Sequence, residues 1–280
     1  MAGLTDPGRM RVKNEDNIAT WPEGGLAVLA DGMGGHQAGE VASRIAVDII
    51  TGHFMDVFAR KKRKEGAPNP IGTDDITNAV QAANSAIFET ARSQPDFVGM
   101  GSTIVVAILR EGRVAIGHVG DSRLYRFRRG RLKQLTQDHS VVQELVSRGV
   151  YTAEEARVSV GKNLVTRALG VDPTVEVDVS MQETEDGDLY LLCSDGLNDV
   201  VNDTEIERIL AQSDQALDTT VGILVSLANQ RGGPDNISVI LIKVSAPDKP
   251  PKQQPSSDAA DDEDEFRIDR HDTFVVDDGK

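Results

Sequence analysis

Two apolar runs, Thr103 to Leu109 (TIVVAIL) and Val114 to Val119 (VAIGHV), flank a Glu111-Gly112 turn and contain no acidic residue, lysine or arginine. Successive side chains of a strand point to opposite faces, so a sheet with one wet side needs a polar residue at every second position. These runs do not provide it, and the sheet they build must be covered on both faces. Helices and a second sheet are the available covers. Gly99 to Leu135 as a whole reads as a β-meander, with turns at Glu111-Gly112, Gly120-Asp121 and Arg129-Gly130. Leu26 to Ala30 is a further strand of the doubly buried kind. Helical spacing of apolar residues marks Glu40 to Phe58, Asp75 to Ala91, Asp203 to Gln212 and Ala216 to Gln230. Strands are expected at Thr174 to Val179, Asp188 to Cys193 and Asn236 to Val244. Strands and helices therefore come in blocks without strict βαβ alternation, which predicts an α+β class built in layers.

The 280 residues are 39% hydrophobic and 27% charged, enough for a sizeable core. A formal net charge of −15 argues against non-specific nucleic-acid binding and against adhesion to an anionic membrane, because both need a basic surface. No apolar run approaches the roughly 20 residues that span a bilayer, and Met1 to Asp16 lacks the apolar core of a signal peptide. One cysteine, Cys193, rules out an intrachain disulfide. These features point to a cytoplasmic protein without a membrane anchor of its own.

The opening, Leu4 to Thr20, reads as a turn at Asp6-Pro7-Gly8, a basic pair (Arg9, Arg11), an acidic pair (Glu15, Asp16) and a short strand. Arg60 to Gly72 is basic and rich in Pro and Gly, as an exposed linker would be. Asp138 to Gly170 is polar and helical, and interrupts the strands like an inserted flap. From Ala246 the chain turns to Pro, Gln, Ser and Asp, and −6 of the −15 lies there. The expected domain is thus 1–245 with the flap at about 138–170, followed by an acidic disordered tail at 246–280.

Four aspartates stand beside glycine at the ends of strands: Asp31 in LADGMGG, Asp121 in HVGDSR, Asp195 in LLCSDGL and Asp235 in GGPDNIS. With Glu15 and Asp16 they can converge on one rim. Carboxylates a few Å apart raise one another's pKa, so such a rim calls for cations. Oxygen-only donors, including the backbone carbonyl of Gly32, suit Mg2+ or Mn2+. Two such ions about 3.5–4 Å apart would activate a shared water near neutral pH.

Eight motifs in register carry a resemblance: Arg11 to Asp16 (RVKNED), Asp31 to Glu40 (DGMGGHQAGE), Gly101 to Thr103 (GST), Val119 to Tyr125 (VGDSRLY), Leu135 to Ser140 (LTQDHS), Thr166 to Gly170 (TRALG), Cys193 to Leu197 (CSDGL) and Asp235 to Val239 (DNISV). The chain resembles the metal-dependent protein phosphatases, the type 2C serine/threonine phosphatases, in their bacterial form. The resemblance implies two antiparallel β-sheets packed as a sandwich and flanked by α-helices on both sides. It implies hydrolysis of phosphoserine and phosphothreonine by a hydroxide bridging two metal ions. Carried over by residue, Asp31 would bridge the ions, the Gly32 carbonyl would bind one, and Asp195 and Asp235 the other. Glu15 would act on the second ion with Asp16 in support, and Asp121 with Asp195 would match a third, looser ion. Arg11 would clamp the phosphate. Phosphoprotein substrates, a partner serine/threonine kinase and a monomeric state are implied in the same way.

Relatives outside bacteria often carry a histidine immediately after the Asp-Gly pair; Met33 stands there, which makes His36 the candidate general acid. The flap reads Val158-Ser159-Val160-Gly161-Lys162 where many bacterial relatives have a His-Pro pair. A cysteine-dependent phosphatase needs an arginine six residues after its nucleophile, and Asp199 holds that place. His53, His118 and His139 lack the close spacing of a zinc site. Thr273, among acidic neighbours, suits a kinase-regulated docking motif, against a default of a solubilising tail. The non-enzymatic alternative is a pseudophosphatase scaffold binding phosphoproteins or a kinase without turnover; its usual mark, a missing metal carboxylate, is absent.

Overall fold

The strand Leu26–Met33 sorts its side chains strictly by position: Leu26, Val28 and Ala30 face one core, Ala27 and Leu29 another. The same division runs through Ile104–Arg110, where Ile104, Val106 and Ile108 join the first core and Val105 and Ala107 the second. Both faces of this sheet are dry, as the unbroken apolar runs require. The computed structural model describes residues 1–35, 37–63, 72–152, 155, 164–212 and 216–245 (backbone only at 61–63). His36, flap residues 156–163, and everything from 246 on, Thr273 included, lie outside them.

In chain order the strands are β1 (Ala2–Asp6), β2 (Asp16–Trp21), β3 (Leu26–Met33), β4 (Gly101–Ser102), β5 (Ile104–Arg110) and β6 (Arg113–Val119). They continue with β7 (Arg123–Arg128), β8 (Arg131–Gln134), β9 (Asp178–Glu183), β10 (Leu189–Cys193) and β11 (Ile237–Lys243). The helices described are α1 (Ala38–Arg63), α2 (Thr73–Ser93), α3 (Val141–Ser147), α4 (Asp195–Asn198), α5 (Asp203–Ala211) and α6 (Leu217–Gln230). One sheet has the order β1-β11-β10-β7-β8, the other β2-β3-β5-β6-β9 with β4 added to β3, and every pairing is antiparallel.

Three apolar layers hold these parts together. Between the sheets lie Leu29, Val105, Leu124, Tyr190, Leu192 and Ile240. α1 and α2 cover the outer face of the β2–β9 sheet, contributing residues such as Ile50, Phe54, Ile76 and Ile87. α4, α5 and α6 cover the outer face of the other through Leu197, Ile206, Val221 and Leu224. Each fully buried aliphatic side chain is worth roughly 1.5–3 kcal/mol. The architecture is the predicted one: two antiparallel sheets face to face with helices outside both.

Several local readings change. The meander is divided between the sheets: β5 and β6 pair in one, β7 and β8 in the other, and the chain crosses at Gly120-Asp121-Ser122. β1 has no apolar periodicity, since only Ala2 of its five residues is buried, yet it pairs along its whole length with β11. β3 runs on through Asp31 and Gly32 to Met33, because Gly32 N–H donates to Glu15 O (3.1 Å) and Thr103 N–H to Asp31 O (2.8 Å). The strand expected at Thr174 to Val179 starts instead at Asp178. Upstream, the carbonyls of Asp172, Val175 and Glu176 are taken by side chains of Asn84, Gln81 and Arg167 rather than by a strand. α1 reaches Arg63, so the start of the expected linker at Arg60 is helical. Within the flap, the described helix is Val141–Ser147, with Ser140 Oγ accepting from Gln143 N–H (3.2 Å) at its N-terminus.

Candidate active site

Asp16 and Asp31 sit directly opposite one another on β2 and β3, at the end of the sheet where the strands give way to loops. Asp31 is held by its backbone: its N–H donates to Thr103 Oγ1 (3.1 Å) and its carbonyl accepts from Ser102 Oγ (3.0 Å). Gly32 follows because nothing larger fits, since a Cβ there would lie 2.1 Å from Gly39 O and 2.6 Å from Glu15 O. Asp121 comes from the crossing between the sheets, and Asp195 is the first residue of α4 directly after β10. Asp235 precedes β11. The two sheets thus present their carboxylates along a common rim.

Electrostatics shows how close they are. Burial pushes the Asp31 carboxyl well above the usual carboxylate range, reinforced by Asp16, Asp195, Asp121 and Asp235. Asp195 is also raised well above that range, by burial first and then by Asp121, Asp199, Asp235 and Asp16. Burial lifts Asp16 to about 6 even though Ser194 Oγ donates to its Oδ2 (2.8 Å), and lifts Asp121 to about 6 with help from Asp138. Glu15 is raised by burial, with Arg11 pulling the other way. Asp16 Oδ1 and Asp195 Oδ1 are buried with no hydrogen-bond partner.

A buried carboxylate without a counter-charge costs several kcal/mol. Protonation can relieve that cost, and so can a cation. The donor set consists of oxygens alone, which suits a hard divalent ion, and the two orphaned oxygens take no hydrogen bond from the protein. The residues present fit such ions. Arg11 meanwhile pairs with Asp235, Nη2 to Oδ2 at 2.7 Å. Below the rim is a cleft of about 310 Å3 whose lining includes Asp121, Asp195, Asp138 and Asp199 together with Ser140 and Val142 of the flap. Arg123 closes one wall through three hydrogen bonds to Asp138 (2.6–3.0 Å).

The structure brings Asp16, Asp31, Asp121, Asp195 and Asp235 into mutual electrostatic contact, with Glu15 and Arg11 beside them. Supporting residues were not singled out from the sequence. Asn236 accepts from Glu15 N–H at Oδ1 (2.8 Å), while its Nδ2 donates to the carbonyls of Lys13 (2.8 Å) and Pro7 (3.0 Å). Ser43 Oγ donates to Glu15 O (2.6 Å). Thr103 Oγ1 hydrogen-bonds Ser122 Oγ (2.7 Å) and so ties Asp31 to the crossing that carries Asp121. Asn236 and Thr103 stood inside recognised motifs; Ser43 gave no signal. Two of the three histidines, expected to lack the close spacing of a zinc site, do come together. His118 and His139 lie ring to ring with centroids 4.4 Å apart, and with Asp178 they bring one donor atom each within 4.8 Å of the others. Among the described residues the aspartates of the rim do not draw three donor atoms that close, as expected of mutually repelling carboxylates. Cys193 is buried, and burial pushes its thiol up to about 12, which suits a core residue and not a nucleophile.

Residues 10–229 match the family model for protein phosphatase 2C. The serine/threonine phosphatase stp of Listeria monocytogenes is 40% identical over 242 residues, which are 85% of this chain and 93% of that protein. The crystal structure of the Mycobacterium tuberculosis serine/threonine phosphatase PstP superposes with a TM-score of 0.78 at 37% identity, over 88% of this chain and 98% of that one. A structure of the PstP catalytic domain in complex with two manganese ions gives a TM-score of 0.76 at 38% identity, over 88% and 97% of the two chains. The chain described here belongs to the protein phosphatase 2C family and is a serine/threonine protein phosphatase.

Proposed function

We propose that this phosphatase hydrolyses phosphoserine and phosphothreonine esters in proteins at the carboxylate rim, with two divalent ions, Mn2+ or Mg2+, held there. The supporting observation is the pair of buried, unpartnered oxygens, Asp16 Oδ1 and Asp195 Oδ1, in a cluster whose members raise one another's proton affinity. Asp31 would serve both ions, the Gly32 carbonyl and Glu15 one of them, and Asp195 and Asp235 the other. Asp16 supports Glu15 and Asp31, and Asp121 with Asp195 offers a place for a third ion. Ions bound there would bring a water near neutral pKa and offset the charge of the phosphoryl group.

The remaining work falls to the chain itself. Arg11, half exposed beside the rim, has the planar fork that clamps two phosphate oxygens. Ser194 and Asn236 keep Asp16 and Glu15 in place through the hydrogen bonds described above. His36 would give the leaving alkoxide its proton. A partner kinase that lays down the phosphates and a monomeric state belong to the same proposal. None of the described helices is long and apolar enough to cross a membrane.

Hydrolysis of p-nitrophenyl phosphate and of phosphothreonine peptides is expected to need Mn2+ or Mg2+ and to stop with EDTA. Turnover that survives complete chelation would overturn the assignment. For His36 the measurement is the pH–rate profile of His36→Gln: a profile identical to wild type removes it as the acid.

A further inference from the structure

Gly120, the residue before Asp121, adopts φ +107°, and both of its backbone polar groups are held by two histidines. Its carbonyl accepts from His139 N–H (2.8 Å) and from His118 Nε2–H (2.8 Å); its N–H donates to His139 Nδ1 (3.1 Å). Both rings are held below the ordinary histidine range, His118 at about 4, chiefly by burial, so both are neutral. A neutral imidazole has one lone pair to offer. Yet a second donor, Arg167 Nη1, lies 3.0 Å from His139 Nε2. Asp178 resolves the competition: its Oδ2, 3.3 Å from Nε2, is placed to accept a hydrogen bond from an Nε2–H, which leaves the Nδ1 lone pair for the Gly120 N–H. Arg167 Nη1 is then satisfied by Asp178 Oδ1 (2.7 Å) and Glu176 O (3.3 Å).

The same geometry disposes of a metal site at His118, His139 and Asp178. A cation on Nε2 would force the proton onto Nδ1, against the Gly120 N–H, and would have to displace the Arg167 guanidinium.

We propose that His139, locked in its Nε2–H form by Asp178, is a positioning residue that fixes the Gly120-Asp121 turn and thereby aims Asp121 into the cleft it shares with Asp195. His139 is suited to this because its carbonyl also accepts from Thr166 N–H (2.8 Å) and its neighbour Ser140 bridges to Val165. One residue thus joins the crossing between the sheets to both ends of the flap. The inference rests on the reading that Asp121 contributes to ion binding.

The test is a double-mutant cycle read by Mn2+ binding, counted by electron paramagnetic resonance, with the ring tautomer read by two-bond 1H–15N correlation spectra of the metal-free protein. His139→Gln, which cannot place an acceptor at Nδ1, is expected to weaken the Asp121-dependent Mn2+ by about tenfold or more. His139→Asn, whose Oδ1 stands where Nδ1 stood, recovers most of that affinity. Asp178→Ala, at an exposed position that keeps the fold intact, hands Nε2 to Arg167, moves the proton to Nδ1 and weakens the same ion. None of these losses should appear in an Asp121→Asn background. Losses of undiminished size in that background, or an Nδ1–H ring in the wild type, overturn the positioning role. Mn2+ binding unchanged by Asp121→Asn alone overturns the underlying reading of Asp121, and the role with it.

Discussion

Arg11 Nη2 lies 2.7 Å from Asp235 Oδ2, so the candidate phosphate clamp and a candidate ion ligand neutralise each other across 224 residues of sequence. Any ion that takes Asp235 competes with the guanidinium and frees it for the substrate. Arg11→Ala removes the clamp and the competitor together. kcat/KM for a phosphothreonine peptide is expected to drop about ten- to hundredfold, as the loss of a charge-assisted hydrogen bond implies. Half-saturating Mn2+ should fall at the same time. Weaker Mn2+ binding in that variant would mean that Arg11 supports the ions instead of competing with them.

The Asp31 carboxyl is raised by burial and then by four other carboxylates, Asp16, Asp195, Asp121 and Asp235. Asp31→Asn keeps its shape and removes its charge. In EDTA the variant should melt higher than wild type, by roughly 2–4 °C per kcal/mol of relieved repulsion for a domain of this size. Its turnover with Mn2+ should be lower by on the order of a hundredfold to a thousandfold. A melting temperature below wild type in EDTA would show that the carboxylate stabilises the fold even without ions.

The raised carboxyls fix the sign of a pH effect. Asp16 and Asp121 hold their protons to about 6 in the folded chain, against an ordinary aspartate value near 3.8 in the unfolded one. Between these values the folded state binds more protons, so metal-free stability must fall as pH rises from about 4 toward 7. The ion-paired Asp178 and Asp188, whose pKa values are lowered, act the other way only below that window. The buried imidazoles of His118, lowered to about 4, and His139, also lowered, oppose the decline within it, up to the ordinary histidine value of 6.5, but these two are outnumbered by the five raised carboxyls of Glu15, Asp16, Asp31, Asp121 and Asp195. Thermal melts in EDTA should therefore decline from pH 5 to pH 7.5, and saturating Mn2+ should abolish the decline. A flat or rising profile in EDTA would contradict the repulsion argued here.

The side chain of Asn236 makes three described hydrogen bonds, all to the segment from Pro7 to Glu15. Asn236→Ala leaves the Glu15 N–H and two carbonyls to find water, at a cost of about 1–3 kcal/mol for a buried group left unpaired. Denaturant melts measure that loss. The expected companion is weaker Mn2+ binding without loss of the fold, because Glu15 and Arg11 both ride on the released segment.

Much of the fold was legible because burial on two faces writes itself plainly. β5, β6, β10 and β11 are runs that no half-wet sheet would tolerate, and their ends fell within a residue or two of expectation. β1 was not legible, since an edge strand with one buried side chain has no periodicity to read. Asp31, Asp121, Asp195 and Asp235 stood out through their glycine neighbours, and Glu15 and Asp16 as an acidic pair beside a strand. Ser43 gave no signal, and the roles of Asn236 and His139 could not be read even though both stand inside recognised motifs, because a hydrogen bond to a distant backbone group leaves no mark on spacing.

Local chemistry along the chain therefore determined the layers, the strand positions and the identity of the carboxylates: hydrophobic periodicity and turn-forming glycines act over a few residues and can be read there. Which sheet each strand joins, and with it the meeting of Asp16, Asp31, Asp121 and Asp195 on one rim, was decided only in three dimensions. The chain changes sheets at Gly120, and the hydrogen bonds that fix this turn come from His118 and His139, the latter 19 residues further on. Long-range polar contacts of this kind depend on where packing delivers each partner, and that is a property of the assembled core.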